Sequence, residues 1–154
     1  MKVLVGVDDS PHAQATLEFV RSMSWPPNTE MIVVSAVQPP LGAYSDIYAQ
    51  VAMDMSVWLE ALTKLHKDLA SRGARRLAAA GLNVRDRVLQ GDPREALIEE
   101  ATKERADLIV VGSHGRTGIE KLLMGSVASH VVTHAPCSVL VVRQGASGGR
   151  AHPA

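Results

Sequence analysis

The chain has one cysteine, Cys137, among 154 residues, so no disulfide can form within it and a reducing compartment is expected. Aromatic residues are almost as scarce. One Phe, two Trp and two Tyr leave little for the stacking platforms on which single-stranded nucleic acid is held. Neither sign of charge dominates, with 16 basic residues against 16 acidic, which argues against broad electrostatic attraction to nucleic acid or anionic lipid. No apolar run approaches the roughly 20 residues that a bilayer span needs. Met1 is followed within one residue by strand-like sequence, so no charged leader or signal-peptide core is expected ahead of the fold. The expectation from these absences is a cytoplasmic protein with neither nucleic acid nor membrane as partner. One domain is expected over residues 1–144, followed by a Gly/Ala/Ser-rich tail, 145–154, with the composition of a disordered segment.

What is present is an alternation of short Val-rich runs with helical patterns. KVLVGV (Lys2 to Val7) ends at Asp8-Asp9-Ser10-Pro11, where Ser10 is placed to cap a helix and Pro11 to begin it. Ala13, Leu17 and Val20 recur at helical spacing until Trp25-Pro26-Pro27. EMIVVSAV (Glu30 to Val37) reads as a second buried strand. Leu41 to about Met53 has no firm period and reads as loop. Met53 to Ala80 is helical, with Trp58, Leu62, Leu65, Leu69 and Leu77 expected as its core-facing stripe, Gly73 as a point of weakness and Gly81 as its end. Val84 to Gln90 alternates as an edge strand does. Asp92-Pro93 opens a helix that runs to about Arg105. LIVV (Leu108 to Val111) has the continuous apolar character of a central parallel strand. A glycine-bearing loop, a helix over about 126–134 and a last strand, SVLVV (Ser138 to Val142), complete the order. This β-α alternation predicts an α/β fold with right-handed crossovers and a doubly wound parallel sheet. Such sheets bind ligands at the carboxyl ends of the strands where the winding reverses, here at Asp8, Val37 and Gly112.

Several chemistries share that architecture, and the residues separate them. A dinucleotide site needs G-x-G-x-x-G after the first strand. The chain has Asp8-Asp9-Ser10-Pro11-His12 there, and two adjacent carboxylates repel a phosphate unless a metal intervenes. A phosphoacceptor domain of the response-regulator kind would use such an acidic pair, but position 112 is Gly where the acceptor Asp belongs, and Ala135 stands before Pro136 where Lys is needed. An adenylylating synthetase would show S-G-G-x-D-S around the first strand, where the chain has Val5-Gly6-Val7-Asp8-Asp9-Ser10, without the leading Ser and the second Gly.

The informative segment is Gly112 to Ser126, GSHGRTGIEKLLMGS. Glycines at 112 and 115 allow a sharp turn that brings backbone N–H groups close to a ligand. Gly125-Ser126 opens a helix whose free N–H groups and dipole favour phosphate. Ser126 adds a hydroxyl donor and Arg116 a charge-assisted contact. The stretch reads as a cradle for a polyphosphate, with Asp8 as the candidate ligand of a Mg²⁺ ion or, alternatively, as part of a helix cap.

Gly112-x2-Gly115-x9-Gly125-Ser126 resembles the G-x2-G-x9-G-[S/T] motif of ATP-binding universal stress proteins. GSHGRTG, LLMGSVASHV, HAPCSVLVVR and the V-D-x-S start at Val7 to Ser10 extend the resemblance over residues 2 to 143. The resemblance implies an adenine-nucleotide alpha-hydrolase-like Rossmannoid fold with five parallel strands in the order 3-2-1-4-5. It implies that Asp8 faces the ribose or metal-bound phosphates, that Val7 lines the same wall, and that the Ala36 backbone meets the adenine edge. Val111, Gly112, His114 and Gly115 would shape the loop over the ribose and phosphates, and Gly125, Ser126 and Val127 would hold the phosphates. It further implies ATP, AMP or ADP with Mg²⁺ as ligands, and a homodimer pairing through Ser138 to Val142. Asp9, beside Asp8, departs from the family pattern and would make phosphate binding more dependent on Mg²⁺.

Other residues carry plainer readings. His130 and His134 lie one turn apart with Cys137 nearby, but no fourth zinc ligand is evident. Ser113 and His114 are sequence neighbours, poorly placed for a nucleophile and base. Arg72, Arg75 and Arg76 read as a solvated helix face. The function expected is that of an ATP-binding regulatory protein of stress physiology acting through an unknown protein partner, with a slow Mg²⁺-dependent ATPase or a nucleotide-free dimeric scaffold as alternatives.

Overall fold

A computed structural model describes residues 1–38, 49–114 and 124–144, with side chains of the second helix described from Ser56 onward. The order is β1 (Lys2–Gly6), α1 (Pro11–Ser22), β2 (Glu30–Val37), α2 (Ala49–Ala78), β3 (Asn83–Gln90), α3 (Pro93–Glu104), β4 (Leu108–Gly112), α4 (Ser126–His134) and β5 (Ser138–Val142). The strands form one five-stranded sheet in the order β3-β2-β1-β4-β5, every pair parallel, as expected. The tail 145–154 lies outside the described residues. No helix among the described residues is long and apolar enough to cross a membrane.

The continuous apolar runs of the central strands conceal a period of two, because both faces of the sheet are covered. Val3 and Val5 of β1, Met31 and Val33 of β2 and Val110 of β4 pack with Leu17 and Val20 of α1 and Leu77 of α2. Leu4, Ile32, Val34, Ile109 and Val111 pack on the other face, against Leu97 and Ala101 of α3 and Val131 of α4. The helix starts follow from their caps: Ser10 Oγ accepts from the Ala13 N–H at 3.2 Å, and Asp92 Oδ1 accepts from the Arg94 N–H at 2.9 Å. At the other end of α1, the Trp25 indole N–H donates to the Val20 carbonyl at 2.9 Å. Arg105, at φ 53°, closes α3 in the left-handed conformation.

α2 departs from the expectation in two respects. It begins at Ala49, so 49–53 are helical rather than loop, while 41–48 lie outside the described residues. Its inward face also differs. Trp58 and Leu65 are exposed and Leu62 and Leu69 half-buried, whereas His66, Ala70, Gly73, Ala74 and Leu77 are buried. With about 100° between successive residues, the face that meets the sheet lies roughly a quarter turn from the Trp/Leu stripe. Small residues at 70, 73 and 74 let the backbone approach β2. At Gly73 a Cβ would stand 3.1 Å from Val33 Cγ1. Thus Gly73 is a packing residue in an unbroken helix, not a bend.

At the amino ends of the strands, Glu104 of α3 receives Arg85 Nη2 at 2.6 Å, Arg87 Nη1 at 3.0 Å and Lys2 Nζ at 3.3 Å. The Arg85 hydrogen bond is the main reason that its carboxyl is held at about 2, against an ordinary 4.5. A folded value below the unfolded one gives stabilisation that is complete above about pH 4.5 and lost as pH falls through about 2. The shift is equivalent to about 3 kcal/mol. Solvent screening at arginines that are each about a third exposed reduces this to roughly 1–2 kcal/mol. Glu104→Gln is therefore expected to lower the unfolding free energy by that amount at pH 7 and by progressively less toward pH 2, measured by urea denaturation across pH.

Candidate functional site

The winding reverses between β1 and β4: the chain leaves β1 for β2 on one side and returns to β4 on the other. Loops therefore diverge at the carboxyl ends of these two strands and leave a crevice. A cleft of about 430 Å³ lies there. It is lined by Val7, Asp8, Ala36, Val111, Gly112, His114, Gly125, Ser126 and Val127, so the structure brings these candidate residues to one place. Gly115 and Arg116 lie outside the described residues.

Each wall has a local cause. β1 stops at Gly6, and the Val7 N–H still pairs with the Val34 carbonyl at 2.9 Å. This holds Asp8 at the strand end, where its Oδ1 accepts from the Ser10 N–H at 3.0 Å and from the Ser10 hydroxyl. Both readings of Asp8 are thus compatible: one oxygen braces the α1 cap, while the residue lines the cleft. Gly112 ends β4 beside α1. A Cβ there would lie 3.0 Å from His12 Cβ and 3.3 Å from the His12 carbonyl. Among the described glycines only Gly81 and Gly91 have positive φ. The requirement for glycine at 112 is therefore close approach to α1, not the sharp turn expected from sequence. The His12 and His114 rings lie 5.2 Å apart at this junction. Ser113 is buried and its hydroxyl meets His114 Nδ1 at 3.1 Å.

The start of α4 is unlike those of α1 and α3. Gly125 is its N-cap and supplies no side-chain hydrogen bond. The Gly125 N–H donates to the Ser113 carbonyl at 2.7 Å, which ties the helix start to the end of β4. The first intrahelical bond is from the Ser129 N–H to the Gly125 carbonyl at 2.9 Å. The N–H groups of Ser126, Val127 and Ala128, the first turn, have no partner from this ladder, and all three residues line the cleft. A cluster of backbone donors at the positive end of a helix dipole suits an anion.

The wall opposite was not anticipated from sequence. Leu62 and His66 of α2, Gln38 after β2, and Pro93 and Leu97 of α3 also line the cleft. Gln38 was legible as the residue following a strand end. His66 was not, because it sits between charged and apolar residues with no motif around it. Elsewhere, His130 Nε2 pairs with Glu95 Oε1 at 2.9 Å and His134 stacks on His130 with ring centroids 4.2 Å apart. Cys137 is half-buried and packs against the core, and burial pushes its thiol pKa up. No group of three potential metal-ligating side chains occurs among the described residues. Arg72, Arg75 and Arg76 are exposed, with Arg76 paired to Glu18 and Gln14.

Comparison with known proteins agrees with this geometry. A universal stress protein of Methanocaldococcus jannaschii, MJ0531, is 32% identical over 112 residues, which is 65% of this chain and 66%, just under two thirds, of that protein. A universal stress protein of Thermus aquaticus is 31% identical over 142 residues, 92% of this chain and 97% of that protein. Among solved structures, MJ0577 of M. jannaschii matches with a TM-score of 0.80 at 27% identity, over 95% of this chain and 97% of that one. A universal stress protein in complex with cAMP matches with a TM-score of 0.64 at 26% identity, over 92% of this chain and 96% of that one. The model of the universal stress protein family matches residues 1–143, and the chain belongs to that family.

Proposed function

We propose that the cleft binds an adenine nucleotide, ATP or its AMP and ADP relatives, and that the chain is a cytoplasmic, nucleotide-dependent regulatory protein of the stress response. The observation that carries this reading is the uncapped first turn of α4, which faces the cleft across from Asp8 and Gly112. The cAMP complex of a relative at 26% identity supports a ligand of the same chemical class. In this reading Ser126, Val127 and the Gly125 backbone hold the phosphates, Val111, Gly112 and His114 border them, and Ala36 and Val7 flank the nucleoside. Gly115 belongs to the same site on the strength of the motif, and Arg116, which the motif does not fix, joins it as a charge-assisted contact to phosphate. Asp8 suits Mg²⁺, which is usually held by one or two carboxylates together with substrate phosphates and water. Bound Mg²⁺ would screen the phosphates from Asp8 and Asp9. Regulation requires that the nucleotide favour one conformation or partner-bound state over another.

A homodimer through β5 is part of the proposal. β5 is an edge strand whose Val139, Leu140 and Val141 are only half-buried, and such an edge is a template for a second copy. Sedimentation at micromolar concentration is expected to give twice the chain mass, and a monomer at all concentrations would remove this part. The nucleotide reading is tested by thermal unfolding with ATP and Mg²⁺. Ligand at 100 times Kd adds about 2.7 kcal/mol, expected to raise Tm by about 5–10 °C in a domain of this size. An unchanged Tm at millimolar ATP would count against it.

A further inference from the structure

The outer side of α2 carries an apolar patch that the reading above does not use. Val57, Trp58 and Leu65 are 65%, 46% and 39% exposed, and Ala61 among them is exposed as well. With about 100° between successive residues, these four fall within an arc of about 100° on the side turned away from the sheet. Contiguous apolar side chains rimmed by charge, here by Lys64 and Asp68, mark an interaction surface, whereas single exposed ones do not. α2 packs on β2 and β3, and β5 is the edge at the other end of the strand order. The patch is therefore remote from the edge proposed for pairing, and the two surfaces do not compete.

The order of residues says what fits the patch. Measured around the helix from Ala61, Val57 and Leu65 stand at about −40° and +40°, and Trp58 and Lys64 at about +60° and −60°. The members of each pair lie equally far before and after Ala61. A two-fold axis at Ala61 that sets two α2 helices antiparallel brings such positions together. Val57 then meets Leu65 of the second copy, and Trp58 meets Lys64 of the second copy, each contact being made twice. The first pair is apolar. In the second, the exposed Lys64 ammonium is attracted to the indole face. Ala61, the small residue at the crossing point, lets the two axes approach. Arg72, Arg75 and Arg76 lie about 16–23 Å from the axis, at opposite ends in the two copies, so the basic ends stay apart. Asp68 comes level with Asp54 about 10 Å out, which favours crossed helices in contact only over 57–65.

We propose that the outer face of α2 is a second self-association surface, which takes α2 of another copy of this chain in an antiparallel pair centred on Ala61. Each copy contributes about five side chains, against the roughly 20–30 residues a side of a standard interface. The pairing is accordingly weak, with Kd on the order of 0.1–1 mM. It depends neither on the nucleotide nor on β5. Where β5 also pairs, a chain with two isologous surfaces at opposite ends of its sheet builds a tetramer or longer assembly.

The test is sedimentation equilibrium of the full chain from about 1 μM to about 1 mM, with tryptophan emission recorded on the same samples. Whatever the mass at the lowest concentration, that of the wild type is expected to double toward the highest. Trp58 emission is expected to move to shorter wavelength in step, while Trp25, tied to the end of α1, stays as it was. Ala61→Glu places a good helix former at an exposed position and sets two carboxylates against each other at the axis. It is expected to keep the fold and to weaken the association by about tenfold or more. Val57→Glu is expected to weaken it as well. Val57→Glu/Leu65→Lys turns both apolar contacts into Glu–Lys pairs and is expected to recover about three- to fivefold of that loss, the scale of two exposed ion pairs. A doubling that persists unaltered in folded Ala61→Glu is association through another surface and overturns the proposal. So does a wild type whose mass does not double, which leaves the face to a different partner. A double variant no stronger than Val57→Glu overturns the antiparallel pairing centred on Ala61.

Discussion

Ser126→Glu is expected to lower ATP affinity by about a hundredfold or more while leaving the protein as stable as before, or slightly more so. Ser126 is exposed, follows the N-cap of α4, and lines the cleft. A carboxylate in the first turn of a helix is favourable by about 0.3–1 kcal/mol, because it complements the dipole and the unpaired N–H groups. The same carboxylate occupies the place proposed for a phosphate. Two like charges about 4 Å apart repel by about 4 kcal/mol at an effective dielectric constant of 20, and partial exposure leaves something near 3 kcal/mol. Stability and binding thus move in opposite directions. A merely structural α4 start predicts the stability gain without a binding loss. Urea denaturation and ATP titration on the one variant separate these.

Gly112→Val is expected to cost about 2–3 kcal/mol of stability and to reduce ATP affinity by tenfold or more. The new Cβ alone would come within 3.0 Å of His12 Cβ and 3.3 Å of the His12 carbonyl, and part of that obstacle is backbone. Overpacking a well-filled contact costs about 1–3 kcal/mol, and the branched side chain lies at the upper end. Relief requires β4 and the start of α1 to separate. That start carries the Ser10 cap and its brace to Asp8, so the two walls of the cleft move apart together. Gly112→Ala is expected to do the same on a smaller scale. If affinity survived Gly112→Val in a folded protein, the end of β4 would not be part of the site.

Most of the fold was legible because its signals are local. Ser10-Pro11 and Asp92-Pro93 cap and start α1 and α3 through their own side chains, and the short Val-rich runs bounded by turn and cap residues have the length and composition of strands. On α2 the large apolar side chains do not mark the inward face. Trp58 and Leu65 are large but lie outside, while Ala70, Gly73 and Ala74 are small because the sheet comes close. How closely two elements approach is a tertiary quantity that a helical period does not carry. The cleft shows the same division. The Gly112, Gly125 and Ser126 part is a motif in one contiguous stretch. His66, which lines the cleft, and Ser35 are 31 residues apart in sequence and meet, Nδ1 to Oγ at 2.8 Å, only in the folded chain. The sequence suggests a turn at Gly112, whereas the structure shows a close approach to α1 there.

The measurement that tests the central claim most directly is calorimetric titration of the wild-type chain and Ser126→Glu with ATP, each with and without Mg²⁺. A nucleotide held at the uncapped start of α4 predicts saturable binding at one site per chain, strengthened by Mg²⁺ because of Asp8 and Asp9, and lost in the variant. No binding by the wild type, or equal binding by a folded Ser126→Glu, would contradict it.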